Sequence, residues 1–355
     1  MNTATKNTFT DRQIKTVVAR YFPKESVTKI QPLPGGTFNT LYRIWGTGEL
    51  EKSVVLKTEP VFSEAVSEHE RNAVRTEACF YQMVEGLGLP IPHIYACDFS
   101  RELLPCDYFL MEYMEGRSWY ELMRVHSPAV MEQLGQCTAK IHSVKGDWFG
   151  SILPSSREQF QSWGDAFVFM VESVLEEIKR QRIRLPCEQI LAVVKARRGL
   201  LDAVRRPVLV NFDMWAGNVF LKRRQEYSIS AIIDFERCFF GDPFASFASA
   251  FLIYDDVEKE EDFIAGYNAV SREPLQFTQD DRERMILYEM LVFLRSYCET
   301  RRYGFWMRSL ERIGIRAIIS DCMWRLGQAE KSRKPAKQYH FTGGLESGNK
   351  KEKLS

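Results

Sequence analysis

Two acidic residues and one asparagine mark the part of this chain best suited to chemistry. Asp213 is followed by Asn218, and Asp234 comes directly after the apolar run at 231–233. A carboxylate such as Asp213 can take a proton from a hydroxyl group. The amide oxygen of Asn218 and the carboxylate of Asp234 are hard oxygen ligands of the kind that Mg²⁺ prefers. Kinase-like folds use this spacing to place one base and two metal ligands around a γ-phosphate, so the pattern predicts phosphoryl transfer.

A simpler interpretation of the same residues is a strand, a polar turn and a second strand. In that case Asp213 and Asn218 would only make turn hydrogen bonds, as such residues often do. Other parts of the chain favour the chemical interpretation, because they supply a glycine turn, a strand ending in lysine, a helix with a glutamate and an extended connector in the right order.

The glycine turn and the lysine belong to a predicted small antiparallel sheet. Residues 28–44 have the pattern of strand, turn and strand, and residues 53–57 that of a third strand. Backbone N–H groups of such a turn can approach phosphate oxygens, and a lysine ending the third strand can reach the α and β phosphates. A plain hairpin connector and a surface lysine are the alternatives. The nucleotide-binding residues predicted here are Gly35, Gly36, Thr37, Asn39 and Lys57.

A glutamate in the next predicted helix, residues 64–85, can hold that lysine in place. Glu77 lies in the more apolar half of the helix and is our candidate for an ion pair with Lys57, and Glu70 is the rival. Most charged helix residues are simply solvated, which is the alternative for both.

An extended linker follows two further predicted strands at 94–97 and 108–111. A strand that becomes a linker leaves backbone N–H and C=O groups free, and these can bind the edge of an adenine ring. We predict that the carbonyl of Glu112 and the amide of Met114 do so.

Together these motifs resemble those of the aminoglycoside phosphotransferase and choline kinase family, the small-molecule relatives of the protein kinases. The resemblance extends over residues 27–250 and includes N-F-D-M-W-A-G-N at 211–218, I-I-D-F-E at 232–236 and G-D-P at 241–243. It implies an α+β, bilobal protein-kinase-like fold with a small N-terminal antiparallel sheet plus helix and a larger, mainly helical C-terminal lobe.

The same resemblance implies roles for individual residues. ATP, with GTP as the alternative nucleotide, would occupy the cleft, with Mg²⁺ bound by Asn218 and Asp234. Asp213 would be the catalytic base, Lys57 would bind phosphate and Glu77 would hold Lys57. The lobes are predicted as a nucleotide-binding lobe at 1–111, a hinge at 112–116, a catalytic and acceptor-binding lobe at 117–330 and a flexible tail at 331–355.

The sequence departs from the family pattern at two places. Asn211 and Phe212 stand where the family usually has histidine and glycine, and Phe212 lacks the conformational freedom of glycine. Ser246 stands where an aspartate commonly supports the catalytic segment. These departures motivate an alternative function, a nucleotide-binding pseudokinase with a regulatory or scaffold role.

The acceptor is predicted only as a small molecule with a hydroxyl group. An acidic run at 255–262 keeps an aminoglycoside-like acceptor, and with it antibiotic resistance, as a minority hypothesis, although a solvated helix start explains the run most simply. Choline, a methylthio-sugar, a macrolide or homoserine are further candidates. The helical patterns at 162–179 and 187–204 favour core packing over ligand contact.

Composition limits the remaining partners. The 355 residues carry a formal charge of +1, which gives no global attraction to nucleic acid or to an anionic membrane surface. The eight cysteines show no metal-ligand spacing, and no apolar run is long enough to span a bilayer. We therefore expect a cytoplasmic monomer or homodimer with no nucleic-acid or membrane partner.

Overall fold

The structure is a computed structural model that describes residues 6–34, 36, 38–61, 66–67, 70–122, 125–250 and 253–333. Its helices in that part of the chain are α1 (Asp11–Tyr21), α2 (Ala73–Met83), α3 (Pro128–His142), α4 (Trp163–Arg180), α5 (Cys187–Ala196), α6 (Arg198–Asp202), α7 (Ala245–Ala248), α8 (Glu261–Val270), α9 (Gln279–Glu299) and α10 (Phe305–Arg333). Its strands there are β1 (Val27–Pro32), β2 (Thr40–Gly46), β3 (Val54–Thr58), β4 (Ile94–Asp98), β5 (Tyr108–Glu112), β6 (Arg117–Ser118), β7 (Phe149–Gly150), β8 (Gln159–Phe160), β9 (Val208–Val210), β10 (Val219–Arg223), β11 (Tyr227–Ile232) and β12 (Phe239–Gly241).

The N-terminal sheet has five antiparallel strands in the order β1-β2-β3-β5-β4. Strand β3 is buried on both faces, because alternate side chains pack on opposite sides of the sheet. Val54 and Leu56 belong to the core that includes α1, whereas Val55 belongs to the core that includes α2. Lys57 faces Phe109 of β5 in this register and lies at the cleft end of the sheet.

Local sequence signals explain where the first helix begins. The Thr10 side chain accepts the Gln13 N–H, and the Gln13 side chain accepts the Thr10 N–H, which is a capping box. The predicted helix at 64–85 differs from the observed one. Helix α2 begins at Ala73, after Asn72 in a left-handed conformation (φ +62°), and residues 62–65 and 68–69 lie outside the described part of the chain.

Two small sheets in the C-terminal lobe position the chemistry. One has the order β11-β10-β6 and the other β8-β7-β12-β9. Residues 211–218 run from β9 in the second sheet to β10 in the first, and residues 233–238 run back from β11 to β12. The Ile233 N–H donates to the Asn218 carbonyl at 3.0 Å, so the two connections lie side by side.

Helices α4, α5, α9 and α10 share one large apolar core, and α3 and α8 pack together in another. The helical pattern predicted at 187–204 is divided into α5 and α6 at Arg197. The buried Arg197 side chain pairs with Glu283 at 2.6 Å and donates to the Leu326 carbonyl at 2.7 Å. In the described part of the chain, no helix is both long and apolar enough to cross a bilayer.

Candidate active site

Lys57 connects the two lobes through carboxylates. Its Nζ contacts Glu77 Oε2 of α2 and lies 2.6 Å from Asp234 Oδ1. Lys57 and Glu77 are both buried, and the Tyr81 hydroxyl donates to the other Glu77 oxygen at 3.2 Å. Burial disfavours the charge of Lys57, but the carboxylates of Asp234, Glu77 and Glu236 outweigh it and raise the pKa of the lysine. Lys57 is therefore a fixed cation between the lobes.

Acidic groups outnumber that cation. Ligand oxygens of Glu77, Asp234 and Glu236 lie within 4.8 Å of one another, and Lys57 is the positive partner of all three. Asn39, in the loop before β2, donates to Glu236 Oε2 at 2.6 Å, and its own buried Oδ1 has no hydrogen-bond partner. Burial and the charge of Asp234 raise the pKa of Glu236 well above its usual range. Acidic groups crowded in this way repel one another when ionised, and a bound cation would relieve that repulsion, so the cluster fits a cation.

The backbone at Asp234 has an unusual conformation. Its φ is +68°, in the left-handed region that non-glycine residues seldom adopt. The next side chain, Phe235, stacks on Phe80 of α2 with ring centroids 3.9 Å apart and an interplanar angle of 10°. Such strained residues persist where surrounding structure fixes them, and they cluster at functional sites. The stack between Phe235 and α2 supplies that fixation here.

Asp213 lies on the neighbouring connection. Asn218 Nδ2 donates to the Asp213 carbonyl at 2.9 Å and to its Oδ2 at 3.3 Å. The amide oxygen of Asn218 is therefore the atom left for a metal ion. Burial raises the pKa of Asp213 to about 6, against the opposing charge of Arg237, whose Nε lies 3.9 Å from Asp213 Oδ2. Asp213 is thus mostly ionised at neutral pH, but it holds a proton more readily than an ordinary aspartate does.

The two family departures are accommodated in different ways. Asn211 Oδ1 accepts the Asp213 N–H at 3.1 Å and so holds the turn. Phe212 is buried against Phe239, with ring centroids 5.2 Å apart, and its φ is not in the left-handed region that would require glycine. The chain at this point does not need the freedom that glycine provides.

At the second departure, serines hold the catalytic segment. The Met214 N–H donates to Ser249 Oγ at 3.1 Å, and the Ser249 hydroxyl donates to the Ser246 carbonyl at 3.2 Å. Ser246 Oγ is 2.9 Å from Nε2 of buried His142, whose Nδ1 is 2.9 Å from the Tyr267 hydroxyl. This neutral network occupies the place where the family commonly has an aspartate.

The comparison with family models is decisive. The model described as the phosphotransferase enzyme family (APH) matches residues 29–286. The chain belongs to this family. Comparison with curated proteins finds no significant match.

Solved structures confirm the predicted kinase-like fold of this phosphotransferase. A predicted aminoglycoside phosphotransferase from Ralstonia eutropha JMP134 superposes with a TM-score of 0.63 at 12% identity, covering 91% of this chain and 99% of the other. A predicted fructosamine-3-kinase from Thermobifida fusca YX-ER1 gives 0.62 at 19% identity, covering 86% and 99%. Aminoglycoside phosphotransferase APH(4)-Ia, in a ternary complex with AMP-PNP and hygromycin B, gives 0.59 at 17% identity, covering 90% and 98%.

Of the remaining predicted nucleotide-binding residues of the phosphotransferase, the structure describes Gly36, Glu112 and Met114. Gly36 has a φ of +59°, a conformation that favours glycine, whereas Gly35 and Thr37 lie outside the described residues. Glu112 ends β5, and Met114 follows it in the connection to β6. Of the two helix glutamates considered, Glu77 pairs with Lys57, and Glu70 pairs with Arg302 after α9.

The acidic run at 255–262 has local partners instead. Glu258 accepts two hydrogen bonds from Arg282 at 2.8 Å, Asp256 pairs with Lys259 at 3.0 Å, and Glu260 lies 3.3 Å from His126. Glu261 and Asp262 are exposed in the first turn of α8. These contacts support the solvated helix start that the sequence favoured.

Sequence reasoning missed a set of arginines beside the predicted base. Arg237 pairs with Glu299 of α9 at 2.9 Å, and Arg295 of α9 lies 5.3 Å from the centre of the Phe212 ring. Arg302 pairs with Glu70, both buried, and so joins the segment after α9 to the N-terminal lobe. The sequence could have indicated that Arg237 belongs to the site, because this residue directly follows I-I-D-F-E. Nothing in the sequence indicated Arg295, because it lies far along the chain on a helix with an ordinary core pattern.

Proposed function

We propose that this protein transfers the γ-phosphate of ATP to a hydroxyl group of a small molecule. The observation that carries the proposal is the convergence of Lys57, Asp213, Asn218 and Asp234 on one cleft in a chain of the phosphotransferase enzyme family. Positioning and charge stabilisation supply most of the rate acceleration in such transfers.

Each residue has a distinct task in the proposed reaction. Asp213 accepts the proton of the acceptor hydroxyl as its oxygen forms a bond to the γ-phosphorus, and the bond from phosphorus to the β–γ bridging oxygen breaks to release ADP. The pKa of Asp213, raised by burial to about 6, suits a base that works near neutral pH. Asn218 holds the Asp213 carboxylate through its Nδ2.

Asn218 and Asp234 would hold Mg²⁺. The site fits a divalent cation because three acidic side chains crowd around Lys57, and because the Asn218 amide directs its nitrogen to Asp213 and its oxygen away. When bound, Mg²⁺ supplies charge neutralisation at the phosphates. Glu236 lies in the same carboxylate cluster and is held by Asn39.

The nucleotide would lie between a lobe at 1–111 and a lobe at 117–330, joined by a hinge at 112–116. Lys57 would bind the phosphates, and Glu77 would keep its ammonium in place. The backbone of Glu112 and Met114 would bind the base, and the glycine turn would cover the phosphates. The complex of APH(4)-Ia with AMP-PNP supports ATP as the donor, and GTP is the alternative to be tested.

The competing function was a nucleotide-binding pseudokinase. Its motivation was Asn211-Phe212, but Asn211 holds the Asp213 turn and Phe212 adopts an ordinary backbone conformation. Lys57, Asp213, Asn218 and Asp234 are all present and close together, which favours an active enzyme.

The test is a panel of hydroxyl acceptors with ATP or GTP and Mg²⁺, read by release of the nucleoside diphosphate. Asp213→Asn removes the base and keeps its shape, so kcat should fall by about 10² to 10⁴. Nucleotide affinity, measured by calorimetry with a non-hydrolysable ATP analogue, should stay within about twofold of wild type.

Asp255→Asn is the matched control, because Asp255 is an exposed acid outside the cleft. It should leave both kcat and nucleotide affinity unchanged. Turnover of Asp213→Asn near the wild-type rate would refute the assignment of the base. Nucleotide binding without Mg²⁺-dependent turnover of any acceptor or of water would favour the pseudokinase.

A further inference from the structure

Arg295 is a buried cation that makes no close ion pair in the described part of the chain. It is 8% exposed, and its Nε has no hydrogen-bond partner. Within the described part of the chain, no carboxylate or other acceptor pairs with its guanidinium. A buried charge of this kind is costly, and proteins normally pair it.

The surroundings of Arg295 add positive charge. Burial, and then repulsion by Arg237, lower the pKa of Arg295 to about 10 against the weaker attraction of Glu299, Glu158 and Asp213, so it remains protonated at neutral pH. Arg237 already has partners, because it lies 2.9 Å from Glu299 and 3.9 Å from Asp213. Of the two guanidinium groups, that of Arg295 is therefore the one without a close ion pair among the described residues.

The contact with Phe212 leaves the hydrogen-bond donors of Arg295 unused. The ring centre lies 5.3 Å from the guanidinium carbon. A cation–π contact engages the face of a guanidinium, whereas its five N–H donors lie in its plane and suit the two oxygens of a carboxylate or the oxygens of a phosphate. Phe212 is also the residue that departs from the family pattern, so the departure builds one side of this cationic site.

We propose that the acceptor is an anionic hydroxyl compound whose carboxylate or phosphate binds Arg295, beside Arg237, while its hydroxyl lies at Asp213. This inference rests on the proposed function, because it identifies the substrate class of the same site. Arg295 is close enough to Asp213 for the two charges to interact, so hydroxyl and anionic group belong to one small molecule, such as a hydroxy acid or a phosphorylated alcohol.

The test uses matched acceptors that differ only in charge. Hydroxy acids are compared with their neutral methyl esters, with phosphate-bearing alcohols and with amino alcohols, each in an ADP-release assay with ATP and Mg²⁺. An anionic acceptor should exceed its neutral analogue in kcat/KM by about tenfold or more. The carboxylate and phosphate series show which anion the site prefers. A preference for neutral or amine-bearing acceptors overturns the proposal.

Arg295→Met keeps the length of the side chain and removes its charge. It should raise KM for the anionic acceptor by about tenfold or more, leave KM for ATP within about twofold and abolish the preference over the ester. Arg295→Lys should retain part of the preference. Arg206→Met, at an exposed arginine paired with Glu273, should change neither constant. A rise in KM for ATP instead would mean that Arg295 binds the nucleotide phosphates, which overturns the proposal.

Folding and inactivity have separate readouts. The Tm of Arg295→Met should equal or exceed that of wild type, because the substitution removes an unpaired buried charge. A lower Tm with an equal loss for every acceptor would assign Arg295 a structural role and overturn the proposal.

If no acceptor is phosphorylated and ATP is not consumed, the proposed function fails. Calorimetric binding of the same hydroxy acids and of inorganic phosphate then decides the anion site: binding lost in Arg295→Met supports it, and no binding to wild type overturns it.

Discussion

Asn39 donates a hydrogen bond to Glu236 at 2.6 Å and so ties the loop before β2 to the segment that follows Asp234. The two residues are far apart in the chain and belong to different lobes. Because both side chains are buried, breaking this bond would leave buried polar atoms unsatisfied, so the bond fixes the loop against the acidic cluster.

Loss of this bond should affect both stability and nucleotide binding. Asn39→Ala leaves Glu236 without its donor, so the free energy of unfolding should fall by about 1–3 kcal/mol, and KM for ATP should rise. Urea unfolding and steady-state kinetics measure the two effects. Asn268→Ala is the control, because Asn268 accepts the Leu275 N–H at 2.8 Å on α8. It should reduce stability alone. An unchanged KM for ATP in Asn39→Ala would contradict the role of the loop.

The ion pair between Glu77 and Lys57 should matter more for catalysis than the pair between Glu70 and Arg302. Glu77→Gln keeps a hydrogen-bonding group but removes the charge that orients Lys57, so kcat/KM for ATP should fall by about tenfold or more, or about 1.4 kcal/mol. Glu70→Gln should lower stability with a much smaller change in kcat/KM. Equal kinetic effects of the two substitutions would argue against Glu77 as the partner that orients the lysine.

Phe212 should be required despite its absence from the family pattern. It is buried, it packs on Phe239, and its ring lies below Arg295. Phe212→Ala should cost about 3–5 kcal/mol of unfolding free energy, as large-to-small core substitutions do. Phe212→Leu should cost less. If Phe212→Gly had the unfolding free energy of wild type and a higher kcat, Phe212 would not be required for the site.

His142 should make stability depend on pH. Burial, with a smaller effect of Lys145, lowers the pKa of His142 to about 3, and the ring contacts only the neutral hydroxyls of Ser246 and Tyr267 among its hydrogen-bond partners in the described structure. The unfolded chain, with a histidine pKa of about 6.5, takes up the proton first as the pH falls. This contribution to stability is therefore complete above about pH 6.5 and is lost towards about pH 3, by at most about 1.4 kcal/mol per pH unit.

His142→Gln cannot titrate and is the matched comparison. Urea unfolding of both proteins between about pH 4.5 and 7.5 should give a shallower pH dependence for the variant, because one proton-binding group is removed from the unfolded state. Parallel curves would show that His142 does not titrate on unfolding.

Features that depend on residues close together in the sequence were predicted better than contacts between residues far apart in the sequence. Strand patterns were found where local residues indicated them, because the alternation of side chains acts over a few residues. The contacts of Arg197 at the end of α5 could not be predicted, since Glu283 and Leu326 lie on helices far along the chain. The choice between Glu77 and Glu70 likewise needed the distances to Lys57.

Arg295 illustrates the same limit within the site. On a helical pattern it is one more charged residue among apolar ones, and charged helix residues are usually solvated. Only the packing of α9 against Phe212 and the segment of Arg237 makes it a buried cation. The proposed base and metal ligands were predictable because they are close together in the sequence. The proposed site for the anionic group of the acceptor was not, because Arg295 lies far along the sequence from Phe212 and Arg237.

The buried ion pair between Arg302 and Glu70 has a consequence for the evolution of this chain. Removing one member leaves a buried charge uncompensated, at a cost of about 3–5 kcal/mol, whereas exchanging both for apolar residues can be neutral. A single substitution at either position would therefore destabilise the protein, and we expect selection to act against it. Among descendants of this sequence, we expect positions 70 and 302 to change together or not at all.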